Sequence, residues 1–172
     1  MSPSPRQKPA NKRAVARLAA VQALYQMEVT GAGARDIVKE FELFRLTQDV
    51  DGQTLRKIDH NWFDGLVSGV VRHQRAVDHA IDEALKAGWP LARIDVTLRA
   101  LLRAGVFELM QRPEVPVRVI ISEYVEVAKA FFGGDETRLA NGVLDRIAHT
   151  VRAEEFAAPP ADTLAGPVSK TD

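Results

Sequence analysis

Basic residues near the start of the chain have the chemistry to bind a nucleic acid. Arg17 lies four and five residues after Arg13 and Lys12, spacings that place all three on neighbouring turns of a predicted helix. Such cations neutralise phosphates, and at a helix N-terminus they oppose the helix dipole, which favours a role beyond helix stability. The residues alone are equally consistent with an RNA contact and with a solvated helix face.

Three further side chains are candidates for ligand contact, each with a structural alternative. Tyr25 could stack on a base or pack in the core. Asp135 could cap the last predicted helix or accept a hydrogen bond from a base edge. Asn141 and Gly142 are poor helix formers within that helix, which favours close packing of another backbone over ligand contact.

Known catalytic and metal-binding patterns are absent from the sequence. There is no cysteine, the four histidines lack metal-ligand spacing, and no phosphate-loop, nucleophile-elbow or zinc-protease motif is present. Glu123 and Glu126 are more simply explained as a solvated helix face than as an acid–base pair. The pair Gly133 and Gly134 indicates a helix-ending turn rather than a phosphate cradle. We therefore expect no enzymatic activity, no metal and no cofactor.

The composition indicates one globular domain in the cytosol. The chain has 172 residues, of which 46% are hydrophobic, and no apolar run approaches the roughly 18–20 residues that span a bilayer. The 23 basic and 23 acidic residues cancel, but residues 1–30 carry a local excess of positive charge. The polar, Pro-containing ends predict disorder at 1–11 and 152–172 around a domain at 12–151.

Apolar residues recur at helical spacing through most of that domain, which predicts an all-α fold with neither strand nor hairpin. The first helix extends from about Lys12 to Val29, and a weaker one follows around residues 37–44. A long amphipathic helix begins near Leu55 and bends near His73. Asp95 is the predicted N-cap of the strongest helix, and two further helices complete a total of about seven.

Five sequence strings together resemble the NusB family across residues 12–151. They are AVQALYQ at 20–26, WPLARID at 89–95, LRALLRAGVFEL at 98–109, VPVRVIISEYVEVAKAF at 115–131 and NGVLDRI at 141–147. The resemblance implies a fold of two small helical bundles. It also implies a transcription antitermination factor that pairs with NusE, a ribosomal small-subunit protein, and binds the boxA RNA of ribosomal RNA operons. Other Nus factors and RNA polymerase would complete the assembly, and some members form homodimers.

The resemblance also assigns expected contact residues in this chain. The family's arginine-rich arm falls on Lys12, Arg13 and Arg17, although Ala14 and Val15 replace further arginines and predict a shallow salt dependence. The remaining RNA-side positions are Tyr25, Asp135, Leu139 and Asn141, and the expected partner-binding positions are Ile81, Leu85 and Trp89.

Two other functions remain open at this point. A NusB-like domain also accompanies certain ribosomal-RNA cytosine methyltransferases, but this sequence contains neither a cofactor-binding region nor a nucleophilic cysteine. A helical scaffold or homodimer without an RNA role would be consistent with the zero net charge.

Overall fold

The computed structural model describes residues 12–45, 49–50, 53–54, 58–85 and 90–157. Within these ranges the chain is helical apart from one short hairpin, which confirms the predicted all-α class. None of the described helices is long and apolar enough to cross a membrane. The α-helices are α1 (Lys12–Thr30), α2 (Ala34–Glu40), α3 (His60–Arg72), α4 (Gln74–Ala84), α5 (Val96–Gln111), α6 (Val117–Phe131), α7 (Gly134–Val151) and α8 (Ala153–Phe156).

Helix boundaries follow local chemistry. Helix α1 ends at Thr30, and the next residue, Gly31, has a φ of 74°, a left-handed conformation that glycine adopts without strain. Asp59 begins α3 by accepting a hydrogen bond from the Trp62 amide, so this helix starts later than the apolar pattern near Leu55 suggested. The predicted bend at His73 is a break between α3 and α4.

Helix α5 is the centre of the molecule. Its N-cap is Asp95, as predicted, and the helix packs against α1, α3, α4, α6 and α7. Gly69 of α3 lets α5 approach closely, because a Cβ at this position would lie 2.2 Å from the Phe107 ring. The buried residues of all these helices form one continuous hydrophobic core.

Two strands of two residues each depart from the purely helical prediction. Asp49–Val50 (β1) pairs antiparallel with Gln53–Thr54 (β2). The expectation that the chain contains no hairpin was therefore wrong. The intervening dipeptide in the sequence is Asp51-Gly52, a type strongly associated with two-residue hairpin turns, and it was the available signal.

The two ends of the last long helix also differ from prediction. Gly133 is the N-cap of α7, so Asp135 lies one residue inside the first turn and pairs with Arg138 instead of capping. Beyond Val151 the chain remains packed, because Arg152 is 8% exposed and its guanidinium donates to the carbonyls of helix α5 and the α5–α6 connection. The rest of the predicted tail and the 1–11 leader lie outside the described residues.

Candidate nucleic-acid interface

The first turn of α1 places two cations at the surface. Lys12 and Arg13 are both exposed. The Arg13 guanidinium carbon lies 4.0 Å from the centroid of the Trp62 ring, and its Nε is 3.9 Å from an Asp59 carboxylate oxygen. This combination of a cation–π contact and a loose ion pair orients Arg13 and leaves it accessible to a phosphate.

Arg17, the third expected cation, is a core residue. Its side chain is 2% exposed, and its Nε and Nη2 each donate to a Glu108 oxygen at 2.8 Å. Glu123 lies 3.9 Å away, and the Tyr124 hydroxyl donates to Glu108. This conformation gives Arg17 no route to RNA, and the residue instead joins α1 to α5 and α6.

The pKa shifts in this buried network follow from burial and the Glu108 charge. Burial alone would lower the pKa of Arg17, but the hydrogen bond and charge of Glu108 outweigh it and raise that pKa. Burial, reinforced by the Glu108 carboxylate, raises the pKa of Tyr124 well above its ordinary value. The network therefore holds a charged arginine and a neutral tyrosine at neutral pH.

Tyr25 lies on the surface, which disfavours the core interpretation of this residue. Its side chain is 42% exposed and lines a groove of about 500 Å³ between α1, the start of α5 and the end of α6. Phe131, 41% exposed, lines the same groove, and the sequence reasoning did not identify it as a contact candidate. Gln22 and Gln26 add amides beside the two rings. Aromatic rings next to amides can stack on and hydrogen-bond to unpaired bases.

The cations and the aromatic groove occupy different faces of α1. At about 100° per residue, Arg13 lies about 120° around the helix from Tyr25, whereas Ala14 lies within about 20° of it. A nucleic acid that contacts both groups has to pass around the N-terminal part of α1. Near the start of α1, the position on the same face as Tyr25 is the apolar residue Ala14.

The expected α7 residues are divided between two further grooves. Asp135 and Leu139 line an apolar groove of about 700 Å³ between α4, α5 and α7. Asn141 lines a second groove of about 770 Å³ beside α6. The interpretation of Asn141 and Gly142 as a close-packing site was wrong, because a Cβ at Gly142 would meet no atom of the described residues within 4 Å.

The expected partner-binding residues offer little surface. Ile81 is fully buried and Leu85 is 7% exposed, because both belong to the core between α4, α5 and α7. Trp89 lies outside the described residues. The apolar spacing at Ile81 therefore reflects core packing, whereas Leu85, the C-cap of α4, also lines the groove of Asp135 and Leu139.

Comparison with known proteins identifies the family. The NusB family model matches residues 14–149. A transcription antitermination protein NusB from Agrobacterium fabrum is 57% identical over 150 residues, which cover 87% of this chain and 91% of the relative. The corresponding Sinorhizobium fredii protein is 58% identical over 147 residues, covering 86% and 92%. The chain belongs to the NusB family.

The folds of solved NusB structures agree with this family membership. T. maritima NusB superposes with a TM-score of 0.69 at 28% identity, covering 87% of this chain and 98% of the other. A chain from a structure of the antitermination factors NusB and NusE with double-stranded RNA gives 0.68 at 24% identity, covering 83% and 99%. At that identity the second likeness concerns the fold alone. The expected NusB-like fold is confirmed.

NusB membership also decides the broad functional class. The relatives are transcription antitermination proteins, and the match covers most of both chains. The expectation of a transcription antitermination factor rather than an enzyme is therefore confirmed.

Proposed function

We propose that this NusB-family chain binds single-stranded boxA RNA of ribosomal RNA operons as a heterodimer with NusE. Other Nus factors and RNA polymerase would join this heterodimer in the cytosol, so that transcription continues past terminators. The observation that carries the RNA-binding role is the groove in which Tyr25 and Phe131 are both exposed.

The chemistry of this groove suits unpaired bases. Exposed rings provide flat surfaces for stacking, which contributes about 1–3 kcal/mol per base. The amides of Gln22 and Gln26 can donate to and accept from base edges. Lys12 and Arg13 would neutralise phosphates where the strand passes the start of α1. Two exposed cations give a weak electrostatic contribution, so stable binding requires a partner surface.

The partner assignment is supported by a structural neighbour. That neighbour is a chain from a structure of the antitermination factors NusB and NusE in complex with double-stranded RNA. Full burial of Ile81 argues against a direct role for this side chain. Leu85 lines the groove between α4, α5 and α7, so a NusE-binding surface near α4 would use Leu85, the exposed residues of α4 and the segment containing Trp89. Asp135 and Leu139, on the rim of the neighbouring groove, could contact RNA or NusE.

The experiment is a binding titration of boxA RNA with and without NusE. Binding should be weak for this chain alone and much tighter with NusE, and scrambled RNA should show no comparable gain. Equal affinity with and without NusE would contradict the heterodimer, and an absence of RNA binding under both conditions would favour a scaffold or homodimer.

A matched pair of aromatic substitutions tests the groove itself. Tyr25→Ala should weaken boxA binding about 5- to 150-fold, the loss expected for one stacked base. Phe156→Ala removes a ring that is equally exposed, at 43%, on α8, where it lines the separate groove of Asn141. Wild-type affinity in Tyr25→Ala would mean that the Tyr25 groove does not contact RNA.

A further inference from the structure

Three arginines from different parts of the chain surround the indole of Trp62. The guanidinium carbons of Arg13, Arg112 and Arg17 lie 4.0, 5.5 and 5.7 Å from the centroid of the Trp62 ring. We call these four residues the Trp62 cluster. It brings together the start of α1, the start of α3 and the C-terminal end of α5.

The arginines of the Trp62 cluster differ in how their charge is balanced. Arg17 is buried against Glu108. Arg13 lies 3.9 Å from Asp59, whose other oxygen already accepts from the Trp62 amide. Arg112 is only partly buried, and within the described part of the chain no carboxylate oxygen lies within 4.0 Å of it. Its charge is therefore the least compensated of the three.

Contacts on several sides hold Arg112 in place. Its guanidinium carbon lies 5.5 Å from the Trp62 ring centroid and 5.2 Å from that of Phe107. Its Nη1 donates to the Gln111 carbonyl at 3.2 Å. A Cβ at Gly65 would lie 3.1 Å from Nη2, so the guanidinium rests against α3 where no side chain intervenes. The entropy cost of fixing this side chain on binding an anion is correspondingly small.

A purely structural role explains only part of this arrangement. A cation at the C-terminus of α5 interacts favourably with the helix dipole. That interaction requires neither an aromatic platform nor a second exposed arginine on the same ring. Two positive groups on one indole repel one another, and an anion bound beside them would relieve this repulsion.

We propose that Arg112 and Arg13, held on Trp62, bind the phosphate backbone of the RNA. Arg112 then adds, from the C-cap position of α5, a second cation beside Arg13 on the Trp62 side of α1. The proposal rests on the proposed RNA-binding function and adds a second element to its electrostatic surface. An arginine distant in sequence thus extends the short basic segment of α1.

The test is the salt dependence of boxA binding by the full chain with NusE. Arg112→Gln should weaken binding severalfold and reduce the slope of log affinity against log salt concentration by about 0.7, the value for one phosphate contact on a single strand. Arg112→Lys, which retains the charge, should keep most of the slope. Arg72→Gln makes the same charge change at an exposed site at the opposite end of α3 and should alter neither quantity.

The outcomes separate this inference from the proposed function. Tight boxA binding by the wild type with an unchanged slope in Arg112→Gln would overturn the role of Arg112 alone. A wild type that does not bind boxA would overturn both proposals. Weaker NusE binding in Arg112→Gln, measured without RNA, together with an unchanged RNA slope would assign the cluster to an acidic protein surface instead.

Emission from Trp62 gives a second readout that does not depend on an arginine variant. The chain has two tryptophans, so the Trp62 emission is obtained as the difference between the wild type and Trp62→Phe, each bound to NusE. Its fluorescence should change as RNA saturates the complex. Constant emission at saturating RNA would contradict phosphate binding at the cluster.

Discussion

Arg13 and Arg17 lie four residues apart and have different roles. The first is an exposed cation beside Trp62, and the second is a buried partner of Glu108. The sequence around them is similar in character, and nothing local distinguishes them. The distinction comes from a carboxylate 91 residues away in the chain, which selects the arginine that turns inward.

Substitution by alanine should separate these two roles. Arg17→Ala should lower the free energy of unfolding by about 3–5 kcal/mol, because Glu108 would stay buried without its cation. Arg13→Ala should lower it by less than about 1 kcal/mol, as expected for an exposed ion pair. Urea denaturation of both variants measures the difference. Losses of equal size would mean that Arg17 is not the buried member of the pair.

Tyr25 shows what sequence can and cannot predict at the residue scale. Its position on α1 followed from apolar spacing, but the choice between core and surface depended on where α5 and α6 lie. Phe131 was missed because it is the last residue of α6 and continues the apolar spacing of that helix, which predicts a core position. Exposed aromatic residues of this kind become visible only when the helices are assembled.

At the scale of elements, the packing of α3 on α5 depends on a glycine. Gly69→Ala should lower the free energy of unfolding by about 1–3 kcal/mol, because its Cβ would overlap the buried ring of Phe107. Gly142→Ala is the control within a helix, since its Cβ would meet no atom within 4 Å in the part of the chain that the structure describes. It should raise stability by about 0.5–1 kcal/mol. Thermal unfolding of both variants tests this, and a stabilised Gly69→Ala would refute the close approach.

Helix α6 has an N-terminal partner from another element. Glu155 of α8 accepts a hydrogen bond from the Val117 amide at 3.1 Å. That hydrogen bond, followed by the contact with Arg152, lowers the pKa of Glu155. Pro116 occupies the N-cap position and has no side-chain acceptor of its own, so α8 supplies the missing oxygen.

The lowered pKa of Glu155 sets the direction of a pH effect. Its stabilising contribution is complete above the unfolded-state pKa of about 4.3 and is lost as the pH falls through the lower folded-state value. Glu155→Gln should therefore lower the melting temperature at pH 7, and the difference should shrink below about pH 4. A pH series of melting curves checks this. A difference that grows in acid would have the wrong sign.

The helices themselves were largely predictable, for reasons visible in particular elements. Asp95 directly precedes the apolar stripe of α5, so the capping residue and the helical spacing of the apolar residues both predicted the same start for this helix. The pairing of strands 49–50 and 53–54 was missed because the two strands are too short to show alternation. The prediction of Asp135 as an N-cap was wrong, because Gly133 is the N-cap of α7. The sequence does not determine which residue begins a helix when two glycines are adjacent.

At the scale of the whole molecule, zero net charge limits how strongly RNA can be held by electrostatics alone. Ala14→Arg would add a cation on the same face of α1 as Tyr25. It should tighten boxA binding at low salt and steepen the salt slope by about 0.7. Ala76→Arg makes the same charge change at an exposed position of α4 and serves as the control. Equal effects of both variants would indicate a nonspecific response to charge.

The pairing of Arg17 with Glu108 also has a consequence for synthesis of the chain. Ribosomes add about 5–20 residues per second, so the 91 residues between the two partners take roughly 5–18 s to make. During that interval the apolar face of α1 has been made while α5, one of the two helices against which it packs most extensively, is still missing. The nascent N-terminal segment is therefore exposed to chaperones and proteases until α5 emerges, and α1 reaches its final position late in translation.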